Sequence, residues 1–147
     1  MSALFLIAHI AGRAVAIDSA QVESVVDIGI VIPVPKTGAQ VLGLAALRSR
    51  VVTVIDTRAA LGAALGGTVA EARATRAVIT VAEGHHYAML VDSLEDVAPF
   101  DLLPLSSGIV LDGGWRGVGC GIVERDGEPV LAIDLRALLP GLTALAA

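Results

Sequence analysis

Apolar runs, broken at short intervals by glycine, proline or an acid, set the first reading of this chain. Leu4 to Ile10 is apolar almost throughout, Ala11-Gly12 interrupts it, and Arg13 to Ile17 resumes it. That pattern predicts a hairpin with a tight turn. Asp18-Ser19-Ala20-Gln21 breaks the alternation as a short helical turn before a strand over Val22 to Val26. Ile28 to Val34 predicts another strand, closed by Pro33 and Pro35, which cannot donate to a central ladder. Val41 to Leu47 leads through Arg48-Ser49-Arg50 into Val51-Val52-Thr53-Val54-Ile55. These five strand formers suit a strand buried on both faces. Asp56 then caps a helical turn over Arg58 to Leu61, which Gly62 stops.

The same phrases return further on. Val52 to Leu61 matches Val130 to Leu139 without a gap, so that Asp56 meets Asp134 at a spacing of 78 residues. Leu6 to Val26 likewise matches Val78 to Ala98 at a spacing of 72, with Gly12 on Gly84, Val22 on Leu94 and Glu23 on Glu95. The two spacings differ, which places an insertion in the region of Pro99 to Trp115. Asp126-Gly127 predicts a hairpin between Gly117–Val123 and Pro129–Ile133. The chain therefore reads as one domain over 1–147 with pseudo-repeat halves of about 4–65 and 77–140. Thr68 to Glu71 has capping-box spacing, and a short helix over about 68–76 would bridge the halves. Open sheets of five short strands expose their edges, so each half is expected to curl into a small barrel.

A hydrophobic fraction of 55% raises the question of a membrane. No run approaches the roughly 18 apolar residues of a spanning helix. The longest, Ala3 to Ala11, contains His9, is soon followed by Arg13, and lacks the preceding basic residues of a secretory signal. A cytoplasmic protein with no direct membrane insertion is expected. The single cysteine, Cys120, excludes an internal disulfide and fits a reducing compartment. A net charge of −5 and 3% aromatic residues argue against a nucleic-acid partner. Sixteen glycines among aliphatic runs fit a compact all-β chain with many tight turns.

Catalysis finds little support. His85 and His86 are adjacent, so a strand would point them to opposite faces; they read as a polar hairpin end. With His9 and Cys120 isolated, no metal-ligand spacing is present. Ser106, Ser107 and Cys120 lack a nucleophile elbow. Glu95-Asp96 and Glu124, Asp126 and Glu128 read as solvated strand ends and a hairpin. Gly117-Val118-Gly119-Cys120-Gly121 lacks the spacing and the lysine of a phosphate loop, and places a bare strand face against a neighbouring backbone. Asp56 and Asp134 recur in a capping context rather than a catalytic one. Arg48 and Arg50, flanking Ser49 in a turn, are either two solvated arginines or a recognition turn.

The order of these motifs resembles the CheW-like family of chemotaxis adaptors. That family carries a hydrophobic-x-Pro, a loop, then Gly-hydrophobic-x-Asn-Leu-Arg-Gly and a strand ending in Asp-Leu. The corresponding residues are Val34-Pro35, Lys36 to Leu42, Gly43-Leu44-Ala45-Ala46-Leu47-Arg48-Ser49, and Arg50 to Asp56. Gly12 to Asp18 with Val22-Glu23, Ala88 to Asp92 with Leu94 to Val97, and Gly117-Val118-Gly119 with the strand to Asp134 fit as well. The similarity spans about residues 4–139.

The resemblance implies two five-stranded, SH3-like barrels related by internal duplication, with short helical turns. It implies no catalytic residue, cofactor or metal. Its partners would be the regulatory domain of a CheA-type histidine kinase and the cytoplasmic tip of a chemoreceptor. Arg48 would position or support the partner surface, with Val22, Val25, Gly43, Leu47 and Ser49 shaping it. The chain departs from the family at Ala46, Ser49, Thr53 and Ser24. Two alternatives stand beside this reading: a small β-barrel that binds a ligand or hydrolyses one, and a divergent scaffold with reduced kinase binding.

Overall fold

The computed structural model describes residues 2–33, 41–47, 50–57, 76–105, 115 and 117–139. Among them run β1 (Ser2–Ile10), β2 (Arg13–Asp18), β3 (Ser24–Asp27), β4 (Val41–Leu47) and β5 (Arg50–Ile55). The second half supplies β6 (Arg76–Ala82), β7 (His85–Val91), β8 (Ser93–Asp101), β9 (Gly119–Arg125) and β10 (Glu128–Ile133). They form two five-stranded sheets, ordered β8-β1-β2-β10-β9 and β3-β6-β7-β5-β4. The expected all-β fold of two five-stranded, SH3-like barrels is what forms.

Local chemistry makes the hairpins. Ala11-Gly12, Glu83-Gly84 and Asp126-Gly127 all have positive φ at both residues, the two-residue turn whose twist matches that of paired strands. Asp18 caps the 3-10 turn Ser19–Gln21 by accepting from the Ala20 amide at 2.9 Å. Asp134 does the same for Leu135–Leu138, accepting from the Arg136 amide at 3.0 Å. Asp56 and Asp134 both follow the last residue of a strand, β5 and β10, as the repeat requires. The helical turn expected over Arg58 to Leu61 and the bridge before Arg76 lie outside the described residues. Arg76 itself opens β6.

The duplication extends to pairing. Parallel β2 and β10 pair Val15 with Leu131 and Ile17 with Ile133, while β7 and β5 pair Tyr87 with Thr53 and Met89 with Ile55. Each pair in one sheet is one repeat away from a pair in the other. This corrects the expectation that each half closes on itself. The hairpin β1-β2 joins β8, β9 and β10, and the hairpin β6-β7 joins β3, β4 and β5. Burial gives the reason, because these hairpins are apolar on both faces. Phe5, Ile7 and Ala16 fill one barrel with Val123, Val130 and Ala132. Leu6, Ala8, Ile10, Val15 and Ile17 point the other way, into a core shared with Val78, Tyr87, Met89 and Val91 of the opposite sheet. The second barrel is filled by Val52, Val54, Ala77, Ile79, Ala88 and Leu90, among others.

Two readings needed adjustment. The run from Ile28 to Val34 forms no strand over its described part. Ile32 alone bridges to Leu44, with both amide bonds made at 2.8 and 2.9 Å. Gly29 weakens the run and Pro33 has no N–H to extend the ladder. That single bridge still matters, because it joins the two edges of its sheet. Leu103 and Ile122 make the equivalent bridge in the other sheet, at 2.7 and 2.9 Å. The second adjustment concerns β5, which is buried on both faces only beyond its start: Val51 is 63% exposed and Val52 1%.

Candidate functional site

A groove lies on the barrel built from β3, β4, β5, β6 and β7. Its floor is apolar, with Val52 from β5 and Ile79 from β6, both buried. Val25 of β3 and Leu47 of β4 form its walls, joined by Ser24 and Val26. Antiparallel pairing sets Ser24 opposite Ile79 and Val25 opposite Val78, and the Glu23 amide donates to the Ile79 carbonyl at 2.7 Å. The wall at Val25 is therefore held by backbone bonds, although its side chain is 42% exposed. Leu47 pairs with Arg50 at the end of the β4–β5 hairpin.

The rim is charged. Arg50 Nη1 lies 3.4 Å from Glu23 Oε1 and 2.5 Å from His86 Nε2, and His86 Nε2 lies 3.1 Å from Glu23 Oε2. The other barrel carries a second such cluster. Glu95 Oε2 is 2.5 Å from His9 Nε2, and Glu95 Oε1 accepts from Arg125. Glu95 lowers to about 2 from 4.5, chiefly through the Arg125 hydrogen bond and then that of His9. The same pairing raises Arg125. Glu95 is thus no merely solvated strand end, and His86 is more than a polar hairpin end. Sequence reading missed both clusters, although the alignment of Glu23 on Glu95 was the available signal.

The residues expected to shape a partner surface divide among several places. Val25 and Leu47 meet in the groove. Val22, at the end of the first 3-10 turn, is half-buried against the shared core and beside a separate depression near Gln21 and Arg136. Gly43 is buried at the closure bridge, where a Cβ would lie 2.2 Å from the Ile32 carbonyl oxygen. Its equivalent, Gly121, stands at the other bridge, where a Cβ would meet Leu102 at 2.5 Å and the Leu103 carbonyl oxygen at 2.8 Å. The bare strand face read into the glycine run is real at Gly121. Arg48 and Ser49, which join Leu47 to Arg50 in the chain, lie outside the described residues.

Other features point to no chemistry of their own. Burial raises the Cys120 thiol, helped by the nearby Asp134 and Asp18 carboxylates. Among the described residues, no three of His, Cys, Asp and Glu converge as metal ligands. No helix there is long and apolar enough to cross a membrane. The groove combines an apolar floor with a polar rim, the make-up of a protein-docking surface.

A family model described as the CheW-like domain matches residues 4–142. Among solved structures, the fold is similar to the crystal structure of the scaffolding protein TtCheW from Thermoanaerobacter tengcongensis, with a TM-score of 0.77. The two chains are 23% identical, over 95% of this chain and 94% of that one, a likeness that speaks for the fold. No curated protein matches the sequence.

Proposed function

The chain belongs to the CheW-like domain family, and from that premise we propose that it is a non-catalytic, cytoplasmic adaptor in chemotaxis-like signalling. It couples the cytoplasmic tip of a chemoreceptor to the regulatory domain of a CheA-type histidine kinase. The observation that carries this reading is the groove in which Val25 and Leu47 converge over Val52 and Ile79. Burying one valine or leucine side chain contributes about 1.5–3 kcal/mol, enough for a few such residues to anchor a partner. Arg48, at the family's arginine position, follows Leu47 directly in the chain, and a guanidinium is suited to directed hydrogen bonds with a partner. Ser49, next after Arg48 in the chain, is assigned to the same partner surface, Val22 seats the segment that leads to Val25, and Gly43 permits the closure that holds β4 in place.

The working unit is one domain over 1–147, its pseudo-repeat halves, about 4–65 and 77–140, exchanging hairpins. Titration with an isolated kinase regulatory domain, and separately with a receptor signalling tip, tests the reading. Saturable binding to each is expected. Binding to neither, by a folded chain, would overturn it.

A further inference from the structure

His86 Nε2 stands between two groups that ask opposite things of it. Arg50 Nη1 is 2.5 Å away and Glu23 Oε2 is 3.1 Å away. A guanidinium stays charged and only donates, whereas an ionised carboxylate only accepts. For Arg50 to donate to Nε2, that nitrogen must offer its lone pair, so the ring is neutral with its proton on Nδ1. For His86 to donate to Glu23, Nε2 must carry the proton, and an N–H would then face the N–H of Arg50. One nitrogen cannot serve both at once. The two arrangements differ in whether Nε2 is protonated.

We propose that His86 is a proton-operated latch on Arg50. Neutral, with Nε2 bare, it holds the guanidinium at the groove rim. Protonated, it donates from Nε2 to Glu23 Oε2 and repels Arg50, which is left with Glu23 Oε1 alone. Histidine is the side chain that ordinarily changes charge between pH 5 and 8. The charged groups facing the ring are Glu23, from the segment before β3, and Arg50, from β5. On β6 its paired neighbour is Val81, which does not titrate. Its neighbours in its own strand are exposed His85 and buried Tyr87.

The other barrel provides the contrast. In both clusters the histidine and the arginine take different oxygens of the acid, but only Arg50 also lies against its histidine's Nε2, so protonating His9 adds charge to a compatible bond and disturbs no such contact. Only the His86 cluster has to rearrange. It does so beside Val25 and Leu47, so the proton moves the arginine at the groove's edge off the ring. The device resides in the isolated chain and does not depend on what docks there.

The test is nitrogen NMR of the full chain labelled at histidine and arginine, followed from pH 8.5 to 5. In its neutral form, His86 is expected to show a proton on Nδ1 and a bare Nε2, with a protected Arg50 Nη–H signal. On acidification Nε2 should gain the proton, and the Arg50 signal should be lost in step with it. His9 should titrate without loss of the Arg125 signal. In Arg50→Gln, the loss of the charge should remove this contrast between the two histidines. A neutral His86 carrying its proton on Nε2, or an Arg50 signal unchanged through the His86 titration, would overturn the latch.

Discussion

Glu23 and Glu95 stand one repeat apart, and each holds a histidine and an arginine that its counterpart's repeat does not supply. Glu23 takes His86 and Arg50; Glu95 takes His9 and Arg125. The residues equivalent to His86 and Arg50 are Ala14 and Glu128, and those equivalent to His9 and Arg125 are Val81 and Leu47. The acid is duplicated while its partners are not. Glu23 immediately precedes β3 and Glu95 lies within β8, and the surrounding strands supply whatever cations their faces present. Exposed pairs of this kind contribute little each, so their placement matters more than their strength.

The Glu95 cluster predicts an acid limb in stability. Its folded value of about 2 lies below the ordinary 4.5, so the stabilisation is complete above 4.5 and is lost as the pH falls toward 2. Melting temperatures between pH 5 and 2 should fall for the natural chain, and Glu95→Gln should flatten part of that fall. Superimposable curves would show that the Arg125 and His9 bonds contribute nothing.

Barrel closure predicts an asymmetry between equivalent glycines. A Cβ at Gly43 meets backbone oxygen at 2.2 Å, whereas at Gly121 it meets the movable Leu102 side chain at 2.5 Å and backbone oxygen, less closely, at 2.8 Å. Overpacking costs about 1–3 kcal/mol where neighbours can adjust and more where they cannot. Urea unfolding should place Gly43→Ala at about 3 kcal/mol or beyond, with Gly121→Ala nearer 1–2 kcal/mol. Equal losses would mean that the Ile32 bridge yields as easily as a side chain.

Hairpin exchange predicts interdependent halves. Each barrel needs β1-β2 or β6-β7 from the other half, so fragments 1–65 and 66–147 should each fail to unfold cooperatively alone. Mixed, they should recover a cooperative transition. A fragment that melts cooperatively by itself would contradict the shared core.

Much of this was legible in the sequence wherever the cause was local. Ala11-Gly12 and Asp126-Gly127 announce their hairpins because two residues suffice to make the turn. Asp18 and Asp134 announce caps for the same reason. Family likeness and the repeat together led to two barrels. The exchange was hidden because Ile17 meets Ile133 across more than a hundred residues, and apolar faces on β1 and β2 suit either barrel. The rim clusters were hidden likewise, since His86 reaches Glu23 only once β7 joins the sheet of β3. Ile28 to Val34 misled because an apolar run can serve a single closing bridge as well as a full strand.

In the proposed adaptor, the groove walled by Val25 and Leu47 receives the kinase. Calorimetric titration of the kinase regulatory domain into the natural chain, Val25→Glu and Leu47→Glu tests it most directly, with circular dichroism confirming that all three remain folded. Losing one anchoring side chain should cost about 1.5–3 kcal/mol. At 1.4 kcal/mol per decade, affinity should therefore fall roughly tenfold or more in each variant. Unchanged affinity in both folded variants would contradict the account.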